Sequence, residues 1–213
     1  MTEPPRVIIT PPSAPQETAI AQAARIIESG GVVVIPTFCL YGLAADAFNP
    51  LAVQKVFDLK NRPHSNPVLI FVKSPDSLNG LVKEIPPAAR KIMDRFWPGK
   101  VTLVFHAHNH LPESLTAGTG KIGIRIPDHP VTSALVRALD CPITGTSANI
   151  SGEHGCESIT ALPPSIFNRA ELILDAGPLQ GGPGSTVIDV TCNPIRIIRE
   201  GVVPALEIFK TLA

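Results

Sequence analysis

Gly30-Gly31 followed by Val32-Val33-Val34-Ile35-Pro36-Thr37 is the stretch that most restricts how this chain can fold. Four consecutive β-branched residues lose little by being extended and gain by being covered, so the run predicts a strand buried on both faces. Pro36 has no N–H to donate and is expected to end the ladder, which leaves Thr37 just past the end of a central strand. Ligand-binding groups collect at such ends in α/β sheets, because the strand fixes them while the loop exposes them. Tyr41, the single tyrosine, and Gly42 follow within one turn's reach.

The rest of the chain alternates the same two periodicities. Apolar residues at helical spacing predict a helix over 17–29, with Gly30 as its stop. Asn49 before Pro50 reads as an N-cap and first helical position, and the helix it opens runs to Lys60. Short helices are expected from Ser74-Pro75-Asp76 and from Pro86-Pro87 to Phe96, another over 129–139, and a last one from Pro204. Strands are expected over 68–72, 101–105, 122–126, 143–146, 172–174, 186–189 and 195–198. This order predicts an α/β fold, a single layered domain around a twisted, mixed parallel and antiparallel open sheet spanning 1–213, with residues 1–16 a proline-rich tail and edge strand.

Composition narrows the function classes. Eighteen basic residues balance eighteen acidic ones, so no overall field draws the chain to nucleic acid or anionic lipid, and phosphate affinity has to come from a local cluster. The apolar runs are too short to span a bilayer, and the first residues lack a secretory signal, so no membrane association and a cytoplasmic address are expected. Cys39, Cys141, Cys156 and Cys192 show no metal or redox spacing and are expected to be reduced.

Several clusters carry candidate chemistry. Lys60 and Arg62 close a helix just before a turn and a buried strand, where they either complement the helix dipole or converge on an anion. Thr146-Ser147-Ala148-Asn149-Ile150-Ser151-Gly152 packs hydroxyls and amides after a strand, suited to phosphate oxygens and equally to turn chemistry. Arg125, between Ile124 and Ile126, needs an anionic partner if it faces inward. His106, His108 and His110 alternate, so they share one face of an extended segment, and a solvated strand end is the favoured reading over a metal site. Gly181-Gly182-Pro183-Gly184-Ser185-Thr186 precedes a strand and matches neither a dinucleotide fingerprint nor a P-loop. Gly118-Thr119-Gly120-Lys121 fails as a P-loop because Ile122 stands where Ser or Thr must ligate magnesium.

Taken in order, these motifs resemble the YrdC family of threonylcarbamoyl-AMP synthases. The resemblance is carried by residues 30–43, Lys60-x-Arg62-Pro63 with Asn66-Pro67, Phe96-Trp97-Pro98-Gly99 and Gly123-Ile124-Arg125-Ile126-Pro127. It continues through residues 146–152, Ser185-Thr186-Val187-Ile188-Asp189 and Arg199-Glu200-Gly201. It implies the short, single-domain form of an enzyme that joins L-threonine, bicarbonate and ATP into threonylcarbamoyl-adenylate with release of pyrophosphate, for threonylcarbamoyladenosine formation in tRNA. By that resemblance Lys60 and Arg62 are catalytic, and Lys60, Arg62, Thr146, Ser147, Asn149 and Arg199 bind ATP. Thr37, Tyr41, Arg125 and Ser185 hold threonine, with Arg125 on its carboxylate. Magnesium is expected to arrive with the nucleotide rather than at a protein metal site. A downstream tRNA threonylcarbamoyl transferase is the implied partner, with tRNA contact as a further option. The family pattern reads Pro-Thr-(Asp or Glu)-Thr-Val-Tyr-Gly-Leu, whereas Phe38, Cys39 and Leu40 stand here, which bears on the amino-acid pocket. Two other readings compete: a non-catalytic RNA-binding module resting on the basic excess over 55–73 and 90–100, and a carbamoyl-adenylate enzyme with a different acceptor.

Overall fold

The computed structural model describes residues 6–212; the first five positions of the expected proline-rich tail lie outside the described residues. Among the described residues eleven strands run, in chain order, β1 (Arg6–Ile9), β2 (Val33–Pro36), β3 (Tyr41–Ala44), β4 (Ile70–Phe71), β5 (Val101–His106), β6 (Lys121–Arg125), β7 (Ile143–Thr144), β8 (Thr146–Ser147), β9 (Leu172–Asp175), β10 (Thr186–Asp189) and β11 (Arg196–Arg199). The helices are α1 (Glu17–Glu28), α2 (Pro50–Lys60), α3 (Pro87–Phe96), α4 (Glu113–Thr116), α5 (Pro130–Ala138), α6 (Pro164–Phe167) and α7 (Ala205–Leu212).

The mixed α/β class stands, and the strands divide between two sheets rather than one. The first has the order β1-β9-β2-β3-β8 and the second β11-β10-β5-β6-β4-β7. Each combines parallel pairs, such as β2 with β9 and β5 with β10, with antiparallel ones, such as β2 with β3 and β5 with β6.

The β-branched run behaves as its composition requires. Val33 and Ile35 pack under α1 and α5, whereas Val32 and Val34 pack on the opposite side with Val56 and Leu59 of α2. All four are fully buried, each such side chain contributing about 1.5–3 kcal/mol. Pro36 is the last paired residue of β2, opposite Tyr41, so it stands inside the ladder's end rather than beyond it. Tyr41 and Gly42 open β3, a strand not expected from the sequence, and Thr37, Phe38, Cys39 and Leu40 form the hairpin tip. Its closure is local: the Thr37 N–H donates to the Leu40 carbonyl at 3.0 Å, and the Thr37 hydroxyl donates to the same oxygen at 2.7 Å.

The α2 expectation holds at both ends. Asn49 Oδ1 accepts from the N–H groups of Leu51 and Ala52, Pro50 occupies the first turn, and Asn61 stops the helix in the left-handed region at φ 48°. Two expected strands differ from the observed ones. The 68–72 run pairs only over Ile70–Phe71. The 143–146 run is split by Gly145, β7 ending the second sheet and β8 ending the first. At Gly145 a side chain has no room, since a Cβ would lie 2.6 Å from the Phe71 ring and 2.7 Å from Leu69. The short helices α4 and α6 carry too little periodicity to be read from sequence.

Candidate active site

Between the two sheets lies a cavity of about 480 Å³. Thr37, Tyr41, Thr146 and Ser147 reach it from the first sheet and its hairpin, Arg125, Ser185 and Arg199 from the second, and Arg62 from the turn after α2. Eight of the ten residues singled out from sequence therefore share one wall-to-wall space, although they are spread from position 37 to position 199.

Lys60 and Asn149 stand behind that wall rather than in it. The Lys60 side chain is 1 % exposed. Its ammonium donates to the Ser147 carbonyl, to the Asn149 carbonyl at 2.8 Å and to Asn149 Oδ1 at 3.3 Å. Burial, aided by the nearby Arg62 charge, pulls its pKa down to about 7, while the three acceptor oxygens work to keep the proton on. The Asn149 amide nitrogen donates to the Ile150 and Glu153 carbonyls, and the Ser147 hydroxyl donates to Asn149 Oδ1. A buried cation thus organises the loop after β8 from beneath.

Arg62 is tied to its own turn, Nε donating to the Asn66 carbonyl at 3.2 Å and Nη2 to that of Pro67 at 2.8 Å. A guanidinium has five N–H donors, so others remain for an anion. Arg199 holds Ser185 through the serine carbonyl, at 2.7 Å from Nη2 and 3.3 Å from Nε. The Ser185 hydroxyl lies 2.9 Å from that of Thr102, a polar residue inside the apolar strand β5. Gly201 is needed here because a Cβ would sit 2.4 Å from the Ser185 backbone carbon.

Arg125 faces inward, 5 % exposed, with no carboxylate within ion-pair distance among the described residues. Its Nε has no hydrogen-bond partner. Aromatic faces take the place of one: the guanidinium carbon lies 4.6 Å from the Phe71 ring centroid and 5.2 Å from that of Phe38. Lys100 Nζ lies 5.4 Å from the same Phe38 ring. Burial lowers the Arg125 pKa to about 10, opposed by Asp128, so the charge persists at neutral pH. Cys39 is buried in the hairpin tip, where burial pushes its thiol up against the pull of Arg125.

Tyr41 borders the cavity, but its hydroxyl is engaged elsewhere, donating to the Gly177 carbonyl at 2.8 Å with Asp175 Oδ1 at 3.0 Å. The cavity's other end was not foreseen. There Asp189, 1 % exposed, accepts from Lys121 at 2.9 Å and from Arg196 at 3.5 Å. Burial pushes its carboxyl up, but the Thr191 hydroxyl and Lys121 outweigh that and hold it below the usual range. A buried Asp closing a β-strand was the available signal.

The histidine cluster does not join the site, whereas Thr119 and Lys121 of the rejected P-loop run and Pro183 and Gly184 of the glycine-rich run line it. His108 and His110 lie with their Nδ1 atoms 2.8 Å apart, and the described residues contain no group of three or more His, Cys, Asp or Glu arranged to hold a metal. Within the basic excess over 55–73, Lys55 pairs with Glu171 at 3.4 Å and Lys73 with Asp140 at 3.7 Å. No helix among the described residues is long and apolar enough to cross a membrane.

A cationic, hydroxyl-lined cleft between two mixed sheets is suited to small ligands bearing more than one negative charge. The chain belongs to the Sua5/YciO/YrdC family: the family model Sua5_yciO_yrdC, described as "Telomere recombination", matches residues 25–201. It is 37% identical over 197 residues to a threonylcarbamoyl-AMP synthase of Pyrococcus abyssi, covering 92% of this chain and 58% of that protein. It is 35% identical over 196 residues to the Bacillus subtilis protein of the same name, covering 92% of this chain and 57% of that protein. The chain thus spans somewhat over half the length of these relatives. The crystal structure of P. abyssi Sua5 complexed with L-threonine superposes with a TM-score of 0.92 at 36% identity, over 97% of this chain and 61% of that one.

Proposed function

We propose that this chain is an L-threonylcarbamoyladenylate synthase, a nucleotidyltransferase that joins L-threonine, bicarbonate and ATP and releases pyrophosphate. The observation that carries the reading is the meeting of Arg125, Ser185, Arg199 and Arg62 with Thr37 and Ser147 around one space of about 480 Å³, a volume within the usual range for a small-ligand site. Relatives of the same family bear that activity in their names.

In this reading the amino-acid carboxylate takes the unpartnered Arg125, with the Thr37 and Ser185 hydroxyls beside it. The triphosphate lies along Arg62, Arg199 and the Thr146 to Ser147 edge. The carbamate oxygen attacks the α-phosphorus and the bond to the β-phosphate oxygen breaks, so charge grows on pyrophosphate where the free N–H groups of Arg62 and Arg199 receive it. Placement and fixed cations supply the rate, without a covalent enzyme intermediate. Lys60 is a positioning residue, fixing Ser147 and Asn149. Magnesium arriving with ATP would neutralise phosphate charge; Asp189 is already taken by Lys121 and Arg196, so the phosphates rather than a protein cage would hold the metal. The adenylate is a labile mixed anhydride, which fits hand-over to a tRNA threonylcarbamoyl transferase.

The test is pyrophosphate release by purified protein with ATP and magnesium. Release is expected only when L-threonine and bicarbonate are both present; release indifferent to threonine would end the assignment.

A further inference from the structure

Arg125 is held by two aromatic rings that come from different sheets. Phe71 of β4 is its register partner across the parallel β4–β6 ladder, so that contact, 4.6 Å from guanidinium carbon to ring centroid, is dictated by strand pairing. Phe38 reaches the same guanidinium at 5.2 Å from the tip of the β2–β3 hairpin in the other sheet. Strand pairing does not dictate this second contact, and the hairpin tip is fixed for it by other means. The Cys39 carbonyl accepts from the Gly181 N–H at 2.9 Å, the Thr37 hydroxyl closes on the Leu40 carbonyl at 2.7 Å, and Lys100 Nζ lies 5.4 Å from the Phe38 ring.

A cation held between rings differs from one held by an acid. The negative ring faces attract the guanidinium without neutralising it, so its charge and its N–H donors stay available to a ligand. The Arg125 Nε has no hydrogen-bond partner, and the side chain lines the cavity. A competitor for it exists in Asp128, just beyond the end of β6, whose charge supports the Arg125 cation although the two form no ion pair. A buried guanidinium released on one face gains by turning toward such a carboxylate.

We infer that Phe38 is a positioning residue: its ring closes an aromatic clamp with Phe71 across the two sheets and keeps Arg125 aimed into the cavity instead of at Asp128. The inference rests on the adenylating function proposed above. The clamp acts on the empty cleft, where it spares the incoming carboxylate the work of pulling Arg125 away from a rival. Once the amino acid is bound, Arg125 is in place with or without the ring. The effect therefore falls on amino-acid binding, and neither on ATP binding nor on the chemical step.

Pyrophosphate release by the purified protein, measured against L-threonine and separately against ATP, tests this. Phe38→Leu keeps an apolar wall and removes the ring face. Its threonine KM is expected to rise about five- to thirty-fold, the worth of one cation–π contact away from water, with kcat and the ATP KM unchanged. Phe38→Tyr keeps the ring and should keep the wild-type threonine KM. Asp128→Asn removes the competitor: added to Phe38→Leu it should bring the threonine KM most of the way back, whereas alone it should change little. An equal threonine KM in wild type and Phe38→Leu would overturn the inference and leave the function standing, as would a rise that Asp128→Asn fails to reverse. A loss of kcat, or a rise in both KM values shared by the tyrosine variant, would assign Phe38 to packing of the hairpin and overturn it as well. Wild-type release indifferent to threonine would overturn the function and the inference together.

Discussion

Lys60 illustrates how one side chain can matter to a cleft it does not enter. Its ammonium is surrounded by the Ser147 and Asn149 oxygens, and burial holds its pKa at about 7 against an ordinary 10.5. Between those two values the unfolded chain binds a proton that the folded chain gives up, so this residue makes stability rise with pH across that window. Below pH 7 both forms carry the proton and the burial penalty is felt in full. Thermal melts of the wild type and Lys60→Met should therefore diverge as pH climbs from 7 to 10.5, the wild type gaining on the variant, with a constant gap below 7. Parallel curves throughout would mean that the proton stays on Lys60 over the whole range. The sequence showed Lys60 and Arg62 as a pair of cations; it did not reveal that one points into the loop scaffold and the other toward the ligand space, because that depends on where residues 147 and 149 return.

Among the elements, legibility follows how local each cause is. The limits of α2 could be read to the residue, since Asn49, Pro50 and the left-handed Asn61 act on their own neighbours. The strand β3 could not, because Tyr41 and Gly42 extend only by pairing with Pro36 and Ile35. The division of 143–146 into β7 and β8 depends on Phe71 and Leu69, distant in sequence, pressing against Gly145. Gly145→Ala should consequently cost about 1–3 kcal/mol, the usual penalty for overfilling a packed interior. Urea unfolding would show it as a lower midpoint with an unchanged slope, and a midpoint equal to the wild type's would mean that the two ring contacts yield freely. The candidate site was legible through the order of its motifs, and hardly at all through any one of them. Phe38 was noted as a departure, yet its place over Arg125 needs the coordinates of β4 and β6.

For the molecule as a whole, balanced charge conceals an uneven distribution. The eighteen cations equal the eighteen anions, but the cavity gathers five cations around one carboxylate that is itself paired. Nucleotide affinity should thus depend on ionic strength although the protein carries no net field, with ATP binding weakening several-fold between low and high salt as screening shortens to about 3 Å at 1 M. Equilibrium titration of ATP at several salt concentrations measures this, and a salt-independent affinity would assign the binding to stacking and shape instead. Gly145, finally, is the one-residue step by which the chain leaves one sheet for the other at the edge of the cleft. In the proposed reaction each reactant is held by residues of both slabs, and the spacing of those slabs is set by a joint with no side chain to wedge it open. Loosening that splice would slow the chemistry through a residue that lends it neither proton nor charge.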